Sequence, residues 1–244
     1  MHADPRTTAG TDTRPALRDR LIVALDMPAL EQTGALLGRL IPVVRWFKVG
    51  SELFTAAGPR AVALVLDQGG QVFLDLKYHD IPHTVGRAVA SAVRLGVSML
   101  NVHISGGREM MRAAADARAG SPVAVLGVTV LTSLEEDAAR VTDLARLARE
   151  SGLDGVVASP REAAAIKRDC GQSFLVVTPG IRPASISEDD QRRSTTPGAA
   201  IRGGSDYLVV GRPVLAAPDP AGAAQGILDE MARAMRSGPS DPEQ

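Results

Sequence analysis

Short apolar runs alternate with longer amphipathic stretches eight times along this chain. The runs are Leu21–Leu25, Val44–Val49, Gln71–Leu76, Met99–Ile104, Val123–Val130, Gly155–Ala158, Phe174–Thr178 and Tyr207–Val210. Each is short, rich in Val, Leu and Ile, and almost wholly apolar, as strands buried on both faces are. The intervening stretches predict helices over Pro28–Leu40, Gly58–Leu66, His83–Leu95, Gly107–Ala117, Glu135–Glu150, Pro160–Arg168 and Pro220–Met235. The helical period is clearest in Asp137–Glu150. The interval Arg182–Gly204 is long and polar and reads as loop rather than helix. Eight strand–helix units predict an α/β protein, a single-domain TIM (β/α)8 barrel over residues 20–236. Residues 1–19 and 237–244 are polar and are expected to be disordered. A doubly wound open sheet is the competing architecture, but its glycine fingerprint is missing: the first strand ends in Asp26-Met27-Pro28.

The polar residues that interrupt this pattern fall where the strands end. In order they are Asp26, Lys48, Asp75 with Lys77 and Asp80, His103, Thr132, Ser159, Arg182 and Arg212. Active sites of barrels lie at that end, so these side chains are expected to converge. Ser159 and His103 read as ordinary loop residues. The densest cluster is Leu74-Asp75-Leu76-Lys77-Tyr78-His79-Asp80-Ile81-Pro82. Residues two apart on a strand share a face, so Asp75 and Lys77 emerge side by side, with Asp80 just beyond. Folding alone does not select two carboxylates around one ammonium, because the cluster costs desolvation and perturbs pKa values.

Composition sharpens the reading of Lys77. The chain holds 27 Lys and Arg residues, yet only Lys48, Lys77 and Lys167 are lysines. Two of the three sit at the ends of apolar strands. Unlike Arg, Lys can release a proton once its pKa is lowered, which is what a general acid requires. The flanking carboxylates keep such a lysine charged, which favours a proton donor over a Schiff-base nucleophile.

Bulk properties exclude several classes. The net charge is −1, and no basic stripe suggests nucleic-acid binding. Cys170 is the only cysteine, so neither an internal disulfide nor a cysteine-rich metal site is available. No apolar run approaches a membrane span and the N-terminus lacks a signal-peptide core, which predicts a cytoplasmic protein with no membrane partner. At 45% hydrophobic but 3% aromatic, the core is aliphatic.

The last two loops point to a ligand class. Thr178-Pro179-Gly180-Ile181-Arg182 follows the seventh strand and Gly211-Arg212-Pro213 the eighth. Glycine admits close backbone approach, Arg clamps an anion with paired donors, and barrels often bind phosphate after these two strands. A phosphorylated substrate is therefore expected. A metal site from His79, His83, His103 and the aspartates stays open as an alternative. His79 and His83 have ligand spacing only on one continuous helix, and Pro82 intervenes. No GxSxG elbow supports a nucleophilic serine.

With these residues in place, the chain resembles orotidine 5′-phosphate decarboxylases over about Leu21 to Met235. The most specific element is DLKYHDIPHT, Asp75–Thr84, similar to that family's DxKxxDIPxT signature. It is supported by VALD ending at Asp26, FKVGSELF at Phe47–Phe54, VTVLTS at Val128–Ser133, TPGIR at Thr178–Arg182 and VVGRPV at Val209–Val214. The resemblance implies decarboxylation of orotidine 5′-monophosphate to UMP with no cofactor and no metal. It implies Lys77 as proton donor and Asp75 beside the departing carboxylate. Asp26 and Lys48 would contact the ribose, and Thr132 or Ser133 the pyrimidine. Arg182, Gln191, Gly211 and Arg212 would hold the phosphate. Asp80 and Thr84 would reach a partner subunit's site, giving a homodimer with shared active sites. The alternatives are a magnesium-dependent sugar-phosphate decarboxylase or aldolase of the same suprafamily, and a non-catalytic barrel that binds a phosphometabolite.

Overall fold

A computed structural model describes residues 17–130, 138–183 and 195–236. Eight parallel strands close into one barrel, each paired with its neighbours in chain order and β8 returning to β1. The strands are β1 (Leu21–Ala24), β2 (Trp46–Gly50), β3 (Gln71–Tyr78), β4 (Met99–His103), β5 (Ala124–Val128), β6 (Gly155–Val157), β7 (Leu175–Thr178) and β8 (Tyr207–Val210). Around them lie α1 (Leu30–Leu40), α2 (Ser51–Ala57), α3 (Pro59–Asp67), α4 (Pro82–Arg94), α5 (Gly107–Asp116), α6 (Ala138–Glu150), α7 (Ala163–Cys170), α8 (Pro197–Arg202), α9 (Arg212–Leu215) and α10 (Pro220–Arg236). Among the described residues no helix is long and apolar enough to cross a membrane.

Three helices depart from the sequence reading. The interval Arg182–Gly204, expected as loop, contains α8. Thr196 accepts a hydrogen bond from the Ala199 amide at 3.2 Å and Pro197 occupies the first turn, so two start signals outweigh the polar composition around them. α2 follows Gly50 directly and precedes the expected helix, from which Gly58 at φ +60° separates it. α9 is a single turn after β8. At the N-terminus, Leu17–Asp19 form a 3₁₀ turn, so order begins within the expected extension. Residues 1–16 and 237–244 lie outside the described residues.

Strand parity divides the core in two. Leu21, Val23, Phe47, Leu74, Leu100 and Val125 face the helices. Ile22, Trp46, Phe73, Met99, Leu126 and Val177 fill the barrel. Trp46 and Tyr207 meet edge to face, ring centroids 5.4 Å apart. Two residues on from this apolar layer, on the same interior face, come Lys48 after Trp46, Asp75 after Phe73 and Asn101 after Met99. The barrel is thus apolar towards the strand starts and polar at the strand ends.

Lys167, the third lysine, belongs to the opposite end. It is buried on α7, where Nζ pairs with Asp206 at 2.6 Å and donates to the carbonyls of Gln172 and Phe174. Its role is structural: it fixes α7 to the turns that precede β7 and β8.

Candidate active site

The charged residues form one connected row across the first three strands. Lys48 Nζ donates to Asp26 Oδ1 at 2.8 Å and stands 3.4 Å from Asp75 Oδ2. Lys77 Nζ donates to Asp75 Oδ1 at 2.6 Å. The order Asp26, Lys48, Asp75, Lys77 therefore alternates sign. Asp26 is exposed at the rim, while Asp75 is buried and Lys77 is partly open to the mouth. Of the two carboxylates in this row, Asp75 touches both ammoniums.

Burial by itself would raise the Asp75 pKa. The charge of Lys48, the hydrogen bond and charge of Lys77, and the Asn101 amide together outweigh it, so the carboxyl titrates below its ordinary value. His103 sits at the end of β4 with its ring 5.4 Å from that of His79. Its pKa is lowered, first by burial and then by the neighbouring His79 and Lys77. His103 thus belongs to the edge of the cluster. Ser159 instead accepts the Arg161 amide at 3.3 Å, as a loop residue does.

Gly180 has φ +75°, which disfavours any residue with a Cβ in the loop that carries Arg182. The Ile181–Thr195 bridge and the bond from the Arg182 amide to the Thr195 carbonyl at 3.2 Å bring the far end of that loop back to β7. Gly211 begins α9 at the end of β8, and a Cβ there would lie 3.7 Å from Asp26 Oδ2. Arg212 is exposed beside it. The two arginines therefore follow adjacent strands, next to the Asp26 end of the charged row. Thr132, Ser133 and Gln191 lie outside the described residues.

Asp80 does not join the row. Its carboxylate accepts the Ile81 amide at 2.6 Å on an exposed segment. Ile81 is 65% exposed, and Thr84 is exposed one turn into α4. Ile81 has the extended backbone expected before proline (φ −58°, ψ 151°), and Pro82 starts the helix, so His79 and His83 do not share one. Among the described residues no three His, Cys, Asp or Glu side chains are grouped as a metal site.

Two residues of the site escaped the sequence reading. Asn101 is fully buried on β4; its Nδ2 donates to Asp75 Oδ1 at 2.7 Å and its Oδ1 accepts the Lys77 amide at 2.8 Å. The available signal was a lone amide inside an apolar run, on the same parity as Met99. Gly50 is the other: a Cβ there would lie 2.8 Å from Lys48 Nζ and 3.2 Å from Asp26 Oδ1. Its missing side chain is the space in which Lys48 folds back to Asp26.

A closed (β/α)8 barrel with alternating carboxylates and ammoniums at its strand ends defines an enzyme that controls charge at a reacting atom. Residues 19–227 match the Orotidine 5′-phosphate decarboxylase / HUMPS family, and the chain belongs to it. It is 52% identical over 234 residues to the orotidine 5′-phosphate decarboxylase of Moorella thermoacetica, covering 88% of this chain and 92% of that one. Its identity to the enzyme of the same name from Syntrophotalea carbinolica is 51% over 239 residues, covering 91% and 98%. Among solved structures, orotidine 5′-phosphate decarboxylase from Lactobacillus acidophilus superposes with a TM-score of 0.77 at 39% identity, covering 87% of this chain and 99% of that one.

Proposed function

We propose that the chain converts orotidine 5′-monophosphate to UMP and carbon dioxide, the last step of de novo UMP synthesis. The observation that carries this reading is the placement of Asp75: one buried carboxylate held by two ammoniums, the outer of which opens to the barrel mouth. The family membership and the names of the close relatives support it.

In this reading Arg182, Gln191, Gly211 and Arg212 bind the phosphate, and Asp26 and Lys48 the ribose hydroxyls. Thr132 or Ser133 meets the pyrimidine. The substrate carboxylate then lies against Asp75. The bond from the ring carbon to the carboxylate breaks, its electron pair stays on the ring carbon, and carbon dioxide leaves. The Lys77 ammonium faces the developing carbanion, stabilises it through a fixed charge in a partly dry site, and transfers a proton to it. Solvent returns the proton to Lys77. The chemistry needs no electron sink beyond the protein, so the enzyme works without metal or cofactor. Phosphate binding far from the reacting carbon contributes to closure over the substrate.

Asp80 and Thr84 serve the neighbouring site of a homodimer in the cytoplasm. The exposure of Asp80 and of the apolar Ile81 beside it supports a partner surface there. The test of the reaction is the loss of ultraviolet absorbance as the purified protein consumes orotidine 5′-monophosphate in the presence of a chelator. No turnover overturns the reading. Turnover only after magnesium is restored moves the chain towards the sugar-phosphate branch.

A further inference from the structure

The pairing of β3 with β4 is irregular at the catalytic end. Leu74 pairs with Leu100 and Tyr78 with Val102, so Asp75, Leu76 and Lys77 together face Asn101 alone. The bulge inserts two residues, and an even insertion preserves parity. Leu74, Leu76 and Tyr78 still pack towards the helices, while Asp75 and Lys77 still meet inside. Within the bulge Lys77 takes φ +51°, a left-handed conformation disfavoured for residues with a Cβ.

A bulge removes regular ladder partners. The Lys77 amide is satisfied instead by Asn101 Oδ1 at 2.8 Å. The other half of the same amide group, Nδ2, donates at 2.7 Å to Asp75 Oδ1, the oxygen that also receives Lys77 Nζ. Asn101 is 0% exposed, so bulk water does not stand in for either bond. A primary amide carries a donor group and an acceptor atom in a single plane. A carboxylate could still accept the Lys77 amide but could not donate to Asp75, and an aliphatic chain could do neither.

We propose that Asn101 is a positioning residue for the decarboxylation: it clamps the β3 bulge that aims the Lys77 ammonium and fixes the rotation of the Asp75 carboxylate. It acts through these two groups and leaves substrate contact to them. The proposal rests on the decarboxylase reading above. A buried bond to a charged partner is lost on truncation, so Asn101→Ala should lower kcat by about 10- to 100-fold. KM should change by less than about threefold, because the phosphate and ribose candidates stand on other strands. The acid limb of the kcat profile should move to higher pH, since ionised Asp75 loses a donor.

The experiment measures kcat, KM and their pH profiles with orotidine 5′-monophosphate for wild type, Asn101→Ala and Asn101→Asp. Thermal midpoints and hydrogen exchange of the Lys77 amide are recorded alongside. The near-isosteric Asn101→Asp keeps the acceptor for the Lys77 amide and replaces the donor by a like charge. It should therefore retain amide protection, yet show the larger shift of the acid limb. Asn101→Ala should lose amide protection and show the smaller shift of the acid limb. Unchanged kcat and pH limb in folded variants overturn the proposal. So does a loss of kcat that tracks only the thermal midpoint, or a failure of both variants to fold, which would make Asn101 a core residue. An inactive wild type overturns the decarboxylase reading itself, and this inference with it.

Discussion

Lys77 Nζ lies 2.6 Å from Asp75 Oδ1, and both side chains rise from one strand, two residues apart. The contact joins neighbours on β3, and Asn101 on β4 holds both of them, through the Lys77 amide and Asp75 Oδ1. With Lys48 on the other carboxylate oxygen, the strand end presents positive charge to the barrel mouth and keeps its compensating negative charge beneath.

Lys77→Ala should reduce kcat by about a thousandfold or more, since both an acid and a fixed charge are lost. Lys77→Arg should recover little of this, because Arg does not release its proton at accessible pH and its planar fork is wider than an ammonium. Single-turnover decarboxylation separates the roles: strong activity in the Arg variant would mean that Lys77 acts only as a charge.

Gly50→Ala should leave the barrel folded and impair the reaction. The added methyl would lie 2.8 Å from Lys48 Nζ and 3.2 Å from Asp26 Oδ1, so the ammonium must shift against Asp26 and Asp75. A displacement of about 1 Å at a positioning group can cost on the order of 100-fold in rate. Wild-type kcat and KM in this variant would show that Lys48 tolerates the shift.

Arg212→Ala should weaken substrate binding and also slow the chemical step, with kcat/KM down by about 100-fold. Remote phosphate contacts contribute to transition-state stabilisation when they support closure. A rise in KM with kcat untouched would reduce Arg212 to uniform binding.

Asp75 gives stability a signed pH dependence. Its carboxyl titrates below the ordinary value in the folded chain, so ionisation favours folding. The contribution is complete above the unfolded pKa of about 3.9 and is lost as pH falls through the folded value. Asp75→Asn should therefore be less stable than wild type in urea at pH 7, and the gap should narrow below about pH 4. A gap constant from pH 7 down to pH 3 would contradict the linkage.

Mixed dimers test whether Asp80 serves a partner site. Lys77→Ala and Asp80→Ala should each be inactive alone. If Asp80 crosses the interface, a mixed dimer has one site with both defects and one with none. Random assortment then restores about a quarter of wild-type activity, because a two-fold interface exchanges the same element in both directions. If Asp80 serves its own chain, every site keeps a defect. No recovery, with mass spectrometry showing mixed dimers, would return Asp80 to its own Lys77.

The sequence by itself determined the barrel and the strand ends at which Asp26, Lys48, Asp75 and Lys77 stand. Eight apolar runs with helical intervals permit few other arrangements, and a period of two places Asp75 and Lys77 on one face from local geometry alone. Helix α8 was missed although its Thr196-Pro197 start is local, because the polar stretch around it masks the signal. The remaining relationships are not local. Lys48 reaches Asp26 only because Gly50 leaves room and β1 pairs with β2 in the observed register. Asn101 meets both Asp75 and the Lys77 amide only because β3 carries two extra residues against β4. The aspartates also differ in a way their residue type does not reveal: Asp75 is enclosed by two lysines and an amide, while Asp80 is exposed and bonded to the Ile81 amide. Periodicity reports which face a residue occupies along its own strand. Which atom it meets across the barrel is set by inter-strand register and by the space neighbouring side chains leave, and only the tertiary structure decides those.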